Sequence, residues 1–155
     1  MAFEGPGIAL KEQDHELQFP GPEEVLVRNL YTTICGSDLH TFCGVREEAC
    51  PTVLGHEIIG RIMAIGEQHS GYDSAGATLQ IGDRVTWSVF SSDPLSPLAV
   101  RGMPQKGKQL FKYGHAKIEG GEVFHGGLSE YCFLKKGTAV LKIPDAIPLS
   151  VAATI

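Results

Sequence analysis

Apolar residues gather in short β-branched and aliphatic runs, separated by glycine, proline and polar stretches, and this pattern predicts strands joined by loops. Residues 24–31, Glu-Val-Leu-Val-Arg-Asn-Leu-Tyr, read as a strand with a charged punctuation. Residues 58–65, Ile-Ile-Gly-Arg-Ile-Met-Ala-Ile, read as a second, with Gly60 permitting a bend or bulge. Residues 83–90 predict a third, and residues 128–134 and 139–143 two shorter ones. The segment up to Gly21 is broken by Pro6 and Pro20, with Pro22 just beyond, and reads as one or two edge strands joined by turns. Between the strands, residues 37–41 suit a short helix with Ser37 as N-cap and Asp38 in its first turn. Residues 44–51 and 67–80 are loops. Residues 91–125, rich in Ser, Pro, Gly and Lys, show no period. Residues 151–155 resemble the first turn of a helix. Many short strands with little helix imply a mainly β fold, a partly open barrel.

Composition narrows the picture. At 155 residues the chain suits one domain over residues 1–155. A net charge of −5 without any basic block gives no phosphate footprint, which excludes nucleic acid as the main partner. No apolar run has the length of a membrane span, and the N-terminus has no charged start followed by an apolar core, so a cytoplasmic protein is expected. The four cysteines, at 35, 43, 50 and 132, are then expected as metal ligands or free thiols rather than a disulfide framework.

The chemistry concentrates in two short runs, Cys35-Gly36-Ser37-Asp38-Leu39-His40 and Gly55-His56-Glu57. A thiolate and an imidazole, at Cys35 and His56, are ligands zinc prefers. Asp38 suits the carboxylate that takes the other N–H of a ligating histidine. Ser37 is placed to pass a proton between an alcohol and solvent, with His40 further out. Each has a plainer reading: Cys35 as a packed thiol, Ser37 and Asp38 as helix caps, His40 as a solvated side chain. Cys43 and Cys50 read as bystander thiols. A Gly-x-Gly-x-x-Gly turn after a strand, the usual mark of dinucleotide binding, does not occur.

From Glu24 to Gly66 the chain reads EVLVRNLYTTICGSDLHTFCGVREEACPTVLGHEIIGRIMAIG. Together with Gly82-Asp83-Arg84-Val85, Gly126-Gly127-Leu128-Ser129-Glu130-Tyr131 and Ile143-Pro144-Asp145, it resembles the N-terminal catalytic domain of the zinc-containing medium-chain alcohol dehydrogenases. Gln105-Lys106 and the run from Leu110 to His115 are similar to the branch found in phosphonate-utilisation gene clusters. The resemblance implies a GroES-like, partly open β-barrel with short helices and irregular inserts. It implies a catalytic zinc on Cys35 and His56, with Glu57 coordinating transiently. Zinc would lower the pKa of an alcohol, Ser37 would take its proton, and the cofactor ribose and His40 would carry it outwards. The family's third ligand is a cysteine further along, and no cysteine follows Cys132. That ligand and a Rossmann domain for NAD(P) are therefore expected C-terminal to this chain, which alone would not turn over.

The resemblance also implies a small alcohol or aldehyde substrate and a homodimer or homotetramer at full length. The family's four-cysteine structural zinc has no counterpart, because residues 86–115 contain no cysteine. That lobe is expected to rely on Leu95, Leu98, Met103, Leu110 and Phe111, or on a partner subunit. Two other readings stay open: a metal-free enzyme in the style of quinone reductases, and a non-catalytic GroES-like assembly or binding module.

Overall fold

The computed structural model describes residues 1–107 and 110–153. Six strands, β1 (Val25–Thr33), β2 (Glu57–Ile65), β3 (Arg84–Ser91), β4 (Phe111–Lys112), β5 (Tyr131–Leu134) and β6 (Thr138–Lys142), form one antiparallel sheet in the order β4-β3-β2-β1-β5. β6 lines the other edge of β3, as Val85 pairs with both Gly60 and Lys142. β2 leaves the opposite edge of β3 after Val85, and β4 occupies that edge at Ser91. The exchange of partners along one strand is what curls the sheet into a half-barrel. Short helices α1 (Gly36–Phe42), α2 (Pro97–Val100) and α3 (Leu149–Ala152) and a 3₁₀ turn at Pro104–Lys106 decorate it. The mainly β, partly open barrel expected from the sequence is what the chain forms.

The main core is one cluster, in which Val25, Val27, Ile58, Ile62, Val85, Trp87, Tyr113, Cys132, Leu134 and Val140 pack with Leu79. β2 is buried on both faces at its start, since Ile59 turns the other way, onto Ile143, Ala152 and Ala153. Truncating such a side chain costs about 2–5 kcal/mol. Tyr113 is fully buried, yet its hydroxyl is satisfied by Thr138 Oγ1 at 2.6 Å and Lys135 N–H at 2.8 Å. The irregularity expected at Gly60 falls on its partner: the β1–β2 register shifts between Asn29 and Tyr31, which leaves Leu30 over. Gly60 itself is crowded by Trp87 and the β1 backbone.

Three expectations need correction. The N-terminal segment forms no strand, only isolated bridges from Ala2 to Lys11 and from Phe3 to Thr52, because its prolines interrupt the ladder. The N-cap of α1 is Cys35, not Ser37: Asp38 at the third helical position reaches back to the Cys35 N–H at 2.9 Å. Of the two supports expected for the lobe after β3, packing within the chain is slight. Leu95 is 81% exposed and Met103 39%, Leu98 and Leu110 are half-buried, α2 buries no residue, and of the expected set Phe111 packs on the main core. The helix expected over 151–155 is α3, which starts earlier, at Leu149; residues 154–155 lie outside the described residues.

The remaining sequence motifs are structural ties. Arg84 is 8% exposed, with Nε 2.9 Å from Asp145 Oδ1 and its guanidinium donating to Pro144 O, while Ile143 N–H bonds Arg84 O at 2.8 Å. The Gly-Asp-Arg-Val and Ile-Pro-Asp runs are thus two halves of one contact.

Candidate metal centre

The β1–β2 ladder ends at the pair Thr33 and Glu57. Chain leaving β1 and chain entering β2 are therefore side by side, which sets Cys35, two residues past one end, against His56, one residue before the other. No local sequence rule joins residues 35 and 56; strand register does.

Glycine makes the last adjustment. Gly55 has φ +93°, and a Cβ there would sit 2.9 Å from Gly127 Cα. Gly127 N–H bonds Gly55 O at 2.8 Å, Leu128 N–H bonds Leu54 O at 2.9 Å, and a Cβ on Gly126 would collide with Val53 O. Asn29, beside the β1 irregularity, anchors this glycine loop by donating to Gly126 O and Ser129 O at 3.2 and 2.7 Å. The result is a backbone clamp around residues 53–55 that fixes where His56 begins.

Cys35, His56 and Glu57 each offer a ligand atom, and these atoms lie within 4.8 Å of one another. Cys35 and His56 are half-buried and Glu57 is exposed. Thr33 Oγ1 hydrogen-bonds Glu57 Oε2. Asp38 is 5% exposed and spans the site: Oδ2 accepts from Cys35 N–H, and Oδ1 accepts from Gly55 N–H at 3.1 Å. Asp38 Oδ1 also lies 3.5 Å from His56 Nδ1. At that length the contact is one of charge more than a formed hydrogen bond, and Nδ1 is otherwise sealed. Ser37 Oγ lies 3.5 Å from His56 Nε2. Asp38 is therefore both a helix cap and the carboxylate beside His56. His40 is exposed on α1, outside the group of converging donors.

The electrostatics favour a charged pair. The Ser37 hydroxyl, then its backbone, then His56 hold the Cys35 thiol below its usual pKa. Asp38 raises His56 to about 8, against the opposing effect of burial and with help from Cys35. Burial pushes Asp38 up, but His56 and the Cys35 and Gly55 amides outweigh it and hold the carboxyl low. A metal cation entering here meets a thiol held below its usual pKa and displaces a proton from an imidazole raised to about 8. Cys132 differs: fully buried in β5, its thiol is pushed up by burial and packs in the main core.

The sequence reading missed His115 and the two residues behind it, Glu48 and Arg46. His115 stacks on His56, with ring centroids 4.8 Å apart and planes tilted by 31°. Its Nδ1 lies 2.9 Å from Glu48 Oε2, and Arg46 Nη2 is 3.0 Å from the same oxygen. The only local signal was the Gly114-His115 pair. A Cβ on Gly114 would lie 2.5 Å from Gly55 O, so Gly114 lets its neighbour approach His56.

A mainly β domain thus gathers a thiol, an imidazole and a carboxylate where β1 ends and β2 begins. Residues 21–145 match the alcohol dehydrogenase GroES-like domain, and the chain belongs to that family. It is 34% identical over 142 residues to the NADP-dependent alcohol dehydrogenase C of Mycobacterium bovis, covering 88% of this chain and 38% of that protein. Over 67 residues it is 42% identical to a sorbitol dehydrogenase of Halalkalibacterium halodurans, 43% of this chain and 18% of the relative. The alcohol dehydrogenase of Thermotoga maritima superposes with a TM-score of 0.86 at 26% identity, over 99% of this chain and 42% of that one. The chain thus spans well under half the length of the relatives it matches.

Proposed function

We propose that the chain is the metal-carrying, alcohol-binding domain of an NAD(P)-dependent zinc alcohol dehydrogenase that converts an alcohol to an aldehyde or ketone. The observation that carries this reading is the convergence of Cys35, His56 and Glu57 donor atoms within 4.8 Å. Thiolate, imidazole and carboxylate form a donor set that suits zinc and leaves a fourth tetrahedral position open. Cys35 and His56 would hold the ion, with Glu57 as third donor within this chain. In the longer protein a cysteine beyond residue 155 would take the permanent third place, leaving Glu57 to exchange with water and substrate.

When bound, zinc supplies Lewis-acid polarisation that draws down the pKa of an alcohol. Ser37 Oγ, beside His56 Nε2, receives the hydroxyl proton and passes it towards solvent, with exposed His40 as an outer station. A bound nicotinamide would accept the hydride of the carbinol carbon, so the alcohol would lose two hydrogens in all. The dinucleotide would be held by a Rossmann domain outside these residues, which have no Gly-x-Gly-x-x-Gly turn after a strand. Among the described residues no helix is long and apolar enough to cross a membrane. We place the full-length enzyme in the cytoplasm as a homodimer or homotetramer.

Cobalt substitution tests the reading. Intense thiolate-to-cobalt absorption in the wild type, absent in Cys35→Ala, is expected. A wild-type protein without that absorption loses the enzyme reading to a binding or assembly role.

A further inference from the structure

Away from the metal centre the chain forms a cavity of about 250 Å³ at the other end of β1. Glu24, just before Val25, and Lys135, just after β5, line it, whereas Cys35 follows the last residue of β1. From Val25 to Thr33 a strand runs roughly 26 Å at about 3.3 Å per residue, so the two places are distinct.

The walls are aromatic. Phe111, Phe124 and Phe133 line the cavity, with Phe124 and Phe133 edge to face at 5.9 Å, and Phe19 stands beside them 94% exposed. Phenyl rings cover an apolar body and offer a cation their negative faces. The lining shows the second use directly: Lys135 Nζ sits 4.8 Å from the centre of the Phe111 ring and 2.8 Å from Glu122 Oε1. One ammonium is thus already held between a ring and a carboxylate.

The charges leave a place for another. Glu16, Glu24 and Glu122 line the cavity against the single ammonium of Lys135. Lys135 also lies 4.0 Å from Glu24 Oε1, and Glu24 Oε2 accepts from Gly21 N–H at 2.9 Å. Glu16 pairs with no described residue. His125 completes the wall at 2% exposure, with neither ring nitrogen hydrogen-bonded. Burial lowers its pKa, so the ring stays neutral and sets no positive charge against a cation. Packing alone would favour an apolar side chain there, and a buried polar ring left unpaired marks a wall kept for something besides packing.

We propose that this cavity binds a small organic cation, an ammonium on an aromatic body, with Glu16 as its ion-pair partner and the Phe19, Phe124 and Phe133 rings around the body. An anion of the same shape meets three carboxylates and is repelled. The site is independent of the metal centre and does not rest on the dehydrogenase reading.

Calorimetric titration of the metal-free 155-residue protein with 2-phenylethylammonium, phenylacetamide and phenylacetate tests this, since the probes share a body and differ in charge. The wild type is expected to bind the ammonium about tenfold more tightly than the amide, and the anion least. Glu16→Gln should lower the ammonium-to-amide ratio about threefold. Phe19→Ser should weaken both probes and keep their ratio. Both positions are exposed, so neither variant threatens the fold. No binding, or no preference for the ammonium in the wild type, overturns the proposal. So does a ratio unchanged in Glu16→Gln, or binding unchanged in Phe19→Ser, which would put the probe elsewhere. Repeating the titration with one equivalent of Co²⁺ should leave the affinity as it was, and competition would move the probe to the metal centre and overturn the site.

Discussion

The end of the β1–β2 hairpin and the lobe that follows β3 are built on opposite terms. At the hairpin end almost every backbone group near the site is spoken for. Gly55, Gly114 and Gly126-Gly127 close on one another, Asp38 joins the two chain segments, and Asn29 anchors the glycine loop. In the lobe, α2 buries nothing, and Leu95 and Val100 stand in solvent. A metal site needs its ligands held to within fractions of an ångström before the ion arrives, which demands close packing of the supporting shell. The lobe carries no donor of the candidate centre and has been left free to expose its apolar side chains.

The largest expected effect comes from filling the clamp. Gly126→Ala puts a methyl group into Val53 O, and because that contact is backbone on both sides it cannot relax cheaply. A loss of more than about 3 kcal/mol is expected by urea melt. A loss below about 1 kcal/mol would show that the two loops can part, and the contrast with the lobe would weaken.

Asp38→Asn keeps the shape of the tie but removes its charge. Affinity for Co²⁺ should fall by roughly 10–100-fold, the usual effect of losing a carboxylate behind a ligating histidine. Titration against a competing chelator reads this directly. An affinity equal to wild type would leave Asp38 as a helix cap only.

The pH response is smaller and has a definite sign. With His56 raised to about 8, the metal-free site binds a proton that the metal must displace. Metal affinity should therefore climb as pH rises through about 8. Stability of the metal-free protein should move the other way. The contribution of protonated His56 is complete below the unfolded value near 6.5 and is lost as pH rises through 8, on the order of 1–2 kcal/mol. His56→Gln should flatten that trend, and an unflattened trend assigns it to another group.

The smallest effect belongs to the lobe. Leu95→Ser and Val100→Ser should each change stability by no more than about 0.5 kcal/mol in the isolated chain. A loss well beyond that in dilute solution would mean that a second copy covers the lobe, and it would then depend on protein concentration.

Much of the strand plan was legible because β1, β2, β3 and β6 carry their own β-branched runs, and each was placed to within a residue or two at its start. The N-terminal strands failed because apolar content alone cannot supply ladder partners where Pro6 and Pro20 remove donors. Ser37 was misplaced as the N-cap because a hydroxyl two residues into the helix resembles one at its start. The deciding group was Asp38 reaching back to Cys35.

The chain by itself determined which chemical groups are available, a thiol, two imidazoles, carboxylates and a hydroxyl in two short runs, and that strands would flank them. Residue type and hydrophobic period are local properties and can be read locally. Tertiary structure decided the rest. Strand register set Cys35 beside His56, backbone-to-backbone glycine contacts fixed the clamp, and a loop more than fifty residues further on brought His115 onto His56 with Glu48 behind it. Those contacts join positions far apart in the chain, and only closing the sheet brings them within reach.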